Sequence, residues 1–267
     1  MSPDLFALFV AVVVFVSGLA GLAYHAWQPA NEEPSETRDL INRVTGLVAT
    51  LAALVLGLLI ASASTFYNNQ KTSVELVSAR VLALDGVLRR YGSDGNLARD
   101  QLKDLITSGY ERVWGSTEGA LAAPTLVQTS ERMERLFLTL NALREAAPET
   151  RRYLLAKAGD LATSINDQRL QMSLQLNNSL SWPFMTVLVS WACLLFLGFG
   201  MLAKLNRTNV LGLAVGAISV ASAIFLIVEL NTPYSGLLTL SPEPILETIG
   251  ALDQGRLSAP PRRAATE

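Results

Sequence analysis

Few residues in this sequence have the type and spacing to do chemistry. Cys193 is the only cysteine and His25 the only histidine, so the usual zinc and haem ligand sets cannot be assembled. A Cys–His nucleophilic pair would need Cys193, inside one apolar run, to meet His25 at the edge of another. Cys193 reads better as a small packing residue. The glycine-bearing stretches "GSDG" (92–95) and "GSTEG" (115–119) lack the flanking strand that a phosphate-cradling loop requires. No paired-carboxylate site or nucleophile–base set stands out either. The expectation is therefore a non-enzyme, with no catalytic residue, no metal and no cofactor.

One carboxylate does ask for an explanation. In "AIFLIVELNTPYSG" (223–236) an apolar run long enough to be a membrane helix ends in Glu229, followed by Asn231, Pro233 and Gly236. Proline cannot continue a helix and Ser-Gly signals a turn, so the chain leaves the membrane here. A carboxylate in the last turn opposes the helix dipole, at a cost of a few tenths to about 1 kcal/mol. Three readings follow: solvation among headgroups, a structural clamp in which Glu229 pairs with a base or caps helix N-termini across the turn, or a ring of carboxylates around a shared pore. An acidic ring would favour cations. Glu229, Asn231, Pro233 and Gly236 are the candidate pore or span-end structural residues.

The elements that position this site are helices. Half of the 267 residues are hydrophobic and only 16% are charged, too apolar for an ordinary soluble domain and too charged for membrane spans alone. Residues 63–182 hold 27 of the 44 charges, 14 basic and 13 acidic. So balanced a block reads as a solvated domain and offers no footprint for nucleic acid. Four apolar runs surround it, at 5–23, 44–62, 183–203 and 209–228, each near the ~20 residues that cross a bilayer. The first has Asp4 and no basic residue before it, which favours a retained span over a cleaved signal peptide. None of the four contains an Asp, Glu, Lys, Arg or His, against a proton relay or coupled transporter.

Small residues mark possible packing faces. Gly212 and Gly216 make GxxxG in the fourth span, continued by Ser219 and Ala223; Gly46, Thr50, Ala53, Gly57 and Ala61 line one side of the second. Such faces let helix backbones approach closely, within one subunit or between subunits. Tyr24, Trp27 and Trp182 flank spans as interfacial anchors do.

In the central block, Val74, Val77, Val81, Leu84, Leu88 and Tyr91 alternate at three and four residues, a seam of about two and a half heptads. "YGSDGN" stops that helix. Further helices are expected over 96–114, 129–146 and from Pro148 to the third span, with "GSTEGALAAP" a loop. An amide-rich face (Gln168, Gln171, Gln175, Asn177, Asn178) is either a wet surface or a polar vestibule between subunits. Residues 25–43 read as a short polar loop. "LLTLSPEPILETIGAL" reads as a short helix at the membrane surface, and "SAPPRRAATE" as a disordered tail.

The fold class is thus all-α: a polytopic membrane protein with four transmembrane helices and a helical extramembrane bundle between the second and third. Its parts are a first helix pair (1–62), the helical domain (63–182), a second pair (183–230) and a C-terminal segment (231–267). The basic residues Arg38, Arg43, Lys204 and Arg207 on the short-loop side outnumber Lys71 and Arg169 opposite, which leans towards cytoplasmic short loops.

The pieces "LGLLIASA" at the end of the second span, "LALDGVLRRYG" after it, and "FLIVELNTPYSGL" at the end of the fourth resemble a family of bacterial membrane proteins of unknown function labelled "bestrophin-like domain". The likeness covers roughly residues 40–247. Members more often carry Asp where Asn231 stands and Phe where Tyr234 stands. Bestrophins are anion channels, pentamers with four spans per subunit and a large cytosolic helical part. The resemblance therefore implies a cytosolic helical domain, opposite to the basic-residue count, and a bacterial inner-membrane homo-oligomer that could pass small inorganic ions, anions first. The other reading is a non-conducting scaffold or sensor whose helical domain binds a partner. Neither reading involves nucleic acid, and the lipid bilayer is the one partner common to both.

Overall fold

Each apolar run becomes a helix because the hydrocarbon core offers its backbone N–H and C=O groups no other partner. The structure, a computed structural model, describes residues 3–27, 35–115, 126–177 and 182–257. Among these the regular elements are all helical: α1 (Pro3–Trp27), α2 (Ser35–Tyr91), a 3₁₀ turn (Ser93–Gly95), α3 (Asn96–Trp114), α4 (Leu126–Ala146), α5 (Glu149–Asn177), α6 (Trp182–Leu202), α7 (Arg207–Leu230) and α8 (Glu243–Leu257). Four of them, α1, α2, α6 and α7, are long and apolar enough to cross a membrane, as the four runs predict.

Of the polar loop expected over 25–43, residues 25–27 and 35–43 are helical and 28–34 lie outside the described residues. Helix α1 continues to Trp27 and α2 begins at Ser35, where Glu36 in the first turn suits the positive end of the helix dipole. The expected 115–124 loop, apart from Gly115, and the 258–267 tail lie outside the described residues, as does Asn178 of the amide-rich face.

The chain divides into two compact units, Met1–Tyr67 with Ser179–Leu238, and Asn68–Asn178 with Thr239–Glu267. In the first, α1 packs against both α6 and α7. Val10, Val14, Leu22, Met185, Leu188, Phe196, Leu213, Ile224 and Ile227 form its core. The α1–α6 contact is made by glycines. A Cβ on Gly21 would run into the carbonyl of Leu197 and lie 3.0 Å from the Cα of Gly200, and one on Gly200 would strike the carbonyl of Gly18. Helix α2 applies one face to this core through Ala52, Val55, Leu56, Leu59 and Ile60, and Gly198 of α6 leaves room for Thr45.

In the second unit the heptad seam is buried throughout, from Val74 to Tyr91. The turn after it needs Gly92 at φ 109°, and a Cβ on Gly95 would sit 2.9 Å from the Leu88 carbonyl. Asp85 and Arg99, both buried, pair across this turn at 2.6 Å. Helix α4 packs against both α3 and α5, and α8 packs on α3. Lys103 of α3 and Asp253 of α8 form an ion pair, the Trp114 indole N–H donates to the Leu240 carbonyl at 3.0 Å, and Ile245 and Leu252 are buried.

Two amides of the amide-rich face, Gln168 and Gln175, form rungs between α2 and α5. Gln70, fully buried, donates to Gln175 Oε1 at 3.0 Å. Gln168 donates to Ser73 Oγ at 2.9 Å, and Arg80 donates to the Ser164 carbonyl at 2.9 Å.

Candidate functional site

The end of α7 is built to satisfy a helix terminus where water is scarce. The last carbonyls of a helix have no partner within it. Here Asn231 N–H donates to the carbonyls of Ile227 (3.2 Å) and Val228 (3.1 Å), and the Asn231 side-chain amide donates to Ile227 at 2.7 Å. Thr232 N–H donates to the Glu229 carbonyl at 3.0 Å, and its hydroxyl lies 3.2 Å from the carbonyls of Val228 and Glu229. Asn231 and Pro233 are buried.

Glu229 is 1% exposed. Its Oε1 accepts the backbone N–H of Leu237, and that of Leu238 at 2.8 Å. The chain can bring those two N–H groups back only by turning at Gly236, whose φ is 104°, a conformation that favours glycine. The carboxylate and Gly236 are so close that a Cβ there would fall 2.7 Å from Glu229 Cδ. Four of the residues singled out in the sequence, Glu229, Asn231, Pro233 and Gly236, therefore share one exit turn. Leu237 and Leu238, which supply the donors, carried no signal: backbone N–H groups have no letter in a sequence. Burial holds the neighbouring Tyr234 hydroxyl well above its ordinary titration range, so the phenol is neutral.

The four glycines expected on packing faces, Gly46, Gly57, Gly212 and Gly216, do not share one environment. Gly216 meets the Phe196 ring, 3.0 Å from where its Cβ would be, but Cβ atoms on Gly46, Gly57 and Gly212 would touch none of the described residues. The close helix contact is instead made by Gly18, Gly21, Gly198 and Gly200. The "GLAG" and "GFG" spacings that carry it are visible in the sequence.

The bared side of α2 is the other notable feature. The apolar stretch of α2 is 6% buried, against 28–33% for the other three spans. Leu47, Leu54 and Leu58 are each more than 60% exposed, alongside the small residues Gly46, Thr50, Ala53, Gly57 and Ala61, all exposed. Among the described residues no group of three or more His, Cys, Asp or Glu side chains could hold a metal ion.

No curated protein matches the chain. Solved structures do. A mutant of a bacterial bestrophin homologue from Klebsiella pneumoniae has a TM-score of 0.68 at 12% identity, covering 97% of this chain and 98% of that one. Another mutant of that homologue gives 0.67 at 12% identity, with 94% and 98% covered. A structure described as a membrane protein gives 0.65 at 13% identity, with 97% and 99% covered. At such identity the likeness is one of fold, and it extends over both chains nearly whole. The sequence itself matches the Bestrophin-like domain over residues 7–245. That match covers most of the chain, and the protein belongs to the bestrophin-like family.

Proposed function

We propose that this protein is a homo-oligomeric ion channel of a bacterial inner membrane, with small inorganic anions as its permeant ions. The observation that carries the reading is the bared face of α2. A lipid-facing helix has no need of a run of small residues, whereas a helix that meets copies of itself does. Among the described residues nothing covers Gly46 or Gly57, and the leucines beside them are exposed. The anion preference is supported by Glu229. Turned into its own exit turn at 1% exposure, its carboxylate supplies no acidic ring that would select cations. In this reading Glu229, Asn231, Pro233 and Gly236 are structural, and Gly46, Gly57 and Gly212 face neighbouring subunits or lipid.

The test is halide and potassium flux from liposomes holding the purified protein, with Glu229→Gln beside it. Halide flux above that of empty liposomes, with unaltered selectivity in the variant, is expected. Cation flux lost in Glu229→Gln would place the carboxylate in the pathway instead. Protein shown to be folded and inserted that passes neither ion would favour the scaffold or sensor reading. A bulky Gly57→Leu substitution is expected to break up the oligomer on native mass spectrometry while leaving the helix content of the subunit intact.

A further inference from the structure

The short connection between α6 and α7 holds an apolar groove beside two cations that have no ion-pair partner. Leu205, Asn206, Arg207, Val210 and Leu211 line the groove, which is about 530 Å³ in volume. Its walls are bare, Leu205 and Leu211 each being 65% exposed. Arg207 lines it and Lys204 precedes it, both exposed. Among the described residues neither cation takes part in an ion pair. The surrounding chain supplies no acid, since no Asp or Glu occurs from residue 168 to 228. The connection itself is fastened: the Asn209 side-chain amide donates to the Lys204 carbonyl at 2.8 Å, and Val210 N–H donates to the Asn206 carbonyl at 3.1 Å.

Packing within the membrane unit sets the depth of this groove. Phe6 and Trp182 meet edge-on at one end of α1 and α6, and Gly21 meets Gly200 near the other, so the two helices run in the same direction. From that glycine contact α1 continues six residues to Trp27, about 9 Å at the rise of a helix. Lys204 lies four residues beyond Gly200. Trp27 is 89% exposed, and Tyr24 is exposed as well. Aromatic side chains bared at a span end mark the headgroup layer. Lys204 and Arg207 therefore sit at headgroup level, and Leu211 lies one turn further into the span.

We propose that this groove seats a phospholipid of net negative charge, its phosphate taken by Arg207 with Lys204 and an acyl chain laid along Leu205, Val210 and Leu211. The planar fork of arginine matches the paired oxygens of a phosphate, and Lys204 adds a second charge at the membrane surface. A zwitterionic lipid brings its own ammonium, which two unpaired cations repel; an anionic lipid does not. The apolar walls distinguish a lipid from a free anion, which would gain nothing from them. The site does not rest on conduction, and its failure would leave the channel reading unchanged.

The experiment uses the full-length protein in dodecyl maltoside. Phosphatidylglycerol or phosphatidylcholine with the same acyl chains is added, and retained lipid is counted by native mass spectrometry. Wild type is expected to retain phosphatidylglycerol in preference to phosphatidylcholine. Lys204→Gln and Arg207→Gln should each weaken that retention about fivefold, the worth of one basic residue at an anionic surface. Leu205→Ser keeps both charges and should weaken retention severalfold through lost apolar contact alone. Lys71→Gln, which removes an exposed cation of the other unit, should bind as wild type does. All four positions are exposed, and circular dichroism checks that each variant keeps its helix content. Equal retention of the two lipids by wild type overturns the proposal, as does an undiminished preference in both glutamine variants at Lys204 and Arg207. A loss in Lys71→Gln as large as theirs marks a general charge effect and overturns it too. Wild-type retention by Leu205→Ser overturns the groove as the seat of the lipid. If one of the two glutamine variants does not fold, the other decides.

Discussion

The Glu229 carboxylate occupies the space that any side chain at Gly236 would need. The two residues are locked together by sterics and by the hydrogen bonds that Glu229 receives from the next two residues, Leu237 and Leu238. The exit of the fourth span is therefore a closed loop of eight or nine residues, fastened by one side chain.

Gly236→Ala is expected to destabilise the protein by about 1–3 kcal/mol, from the left-handed backbone alone, and more from the collision with the carboxylate. Glu229→Ala should cost about 1.5–3 kcal/mol, the worth of hydrogen bonds to a charged acceptor. Because Glu229→Ala also removes the collision, the double variant should be more stable than the sum of the two losses predicts. Thermal unfolding of the four proteins in detergent measures this coupling, and strict additivity would mean that the two residues are not locked.

The glycines of the membrane unit should separate into two classes. Gly21→Ala and Gly200→Ala force a methyl group into facing backbone, which cannot swing aside, and each should cost about 1–3 kcal/mol. Gly46→Ala and Gly212→Ala meet none of the described residues, and these variants should unfold at the wild-type temperature or slightly above it. Comparing melting temperatures of the four variants in detergent checks both halves.

Asp85 and Arg99 should behave as a buried pair. Arg99 Nε donates to Asp85 Oδ1 at 2.6 Å and Nη2 lies 3.5 Å from Oδ2, so the pair bridges the α2–α3 turn with two contacts. Asp85→Ala leaves a buried cation without its anion, at a cost of about 3–5 kcal/mol. Asp85→Leu with Arg99→Met should recover much of that, because a hydrophobic pair needs no desolvation of charge. Denaturant unfolding of the single and double variants is the measurement.

Alkaline stability should depend on Tyr234. Burial raises its pKa above the ordinary value of 10.0, so the folded state holds the phenolic proton more tightly than the unfolded state does. The contribution is fully present below pH 10 and is lost as pH rises from there towards the folded pKa, since the unfolded chain then binds fewer protons. Tyr234→Phe should flatten the fall in melting temperature above pH 10. An unchanged slope would assign the alkaline loss to other groups.

Much of this architecture was legible in the sequence because the bilayer and the heptad impose simple rules. A span needs about 20 apolar residues; the runs at 5–23, 44–62 and 209–228 lie within α1, α2 and α7, and the run at 183–203 matches α6 to within one residue at each end. The three- and four-residue spacing from Val74 to Tyr91 put one helical stripe in the core, and those six residues are buried. Helix α3 ends at Trp114 as its pattern required, and "FLIVELNTPYSG" marked the exit of α7 because proline and glycine act on their own backbone.

What the sequence left open depended on partners distant in the chain or on groups that side-chain letters do not encode. That α1 meets α6 through Gly21 and Gly200, and that Gly46 and Gly57 stay bare, follows from which helices become neighbours, and GxxxG spacing looks the same in either case. The pairing of Asp85 with Arg99 depends on how the chain turns at Gly92. The role of Glu229 depends on two backbone N–H groups brought back by a positive φ at Gly236. Helix, span and turn are local consequences of residue type; the partner of a buried charge is set by the contacts of the folded chain.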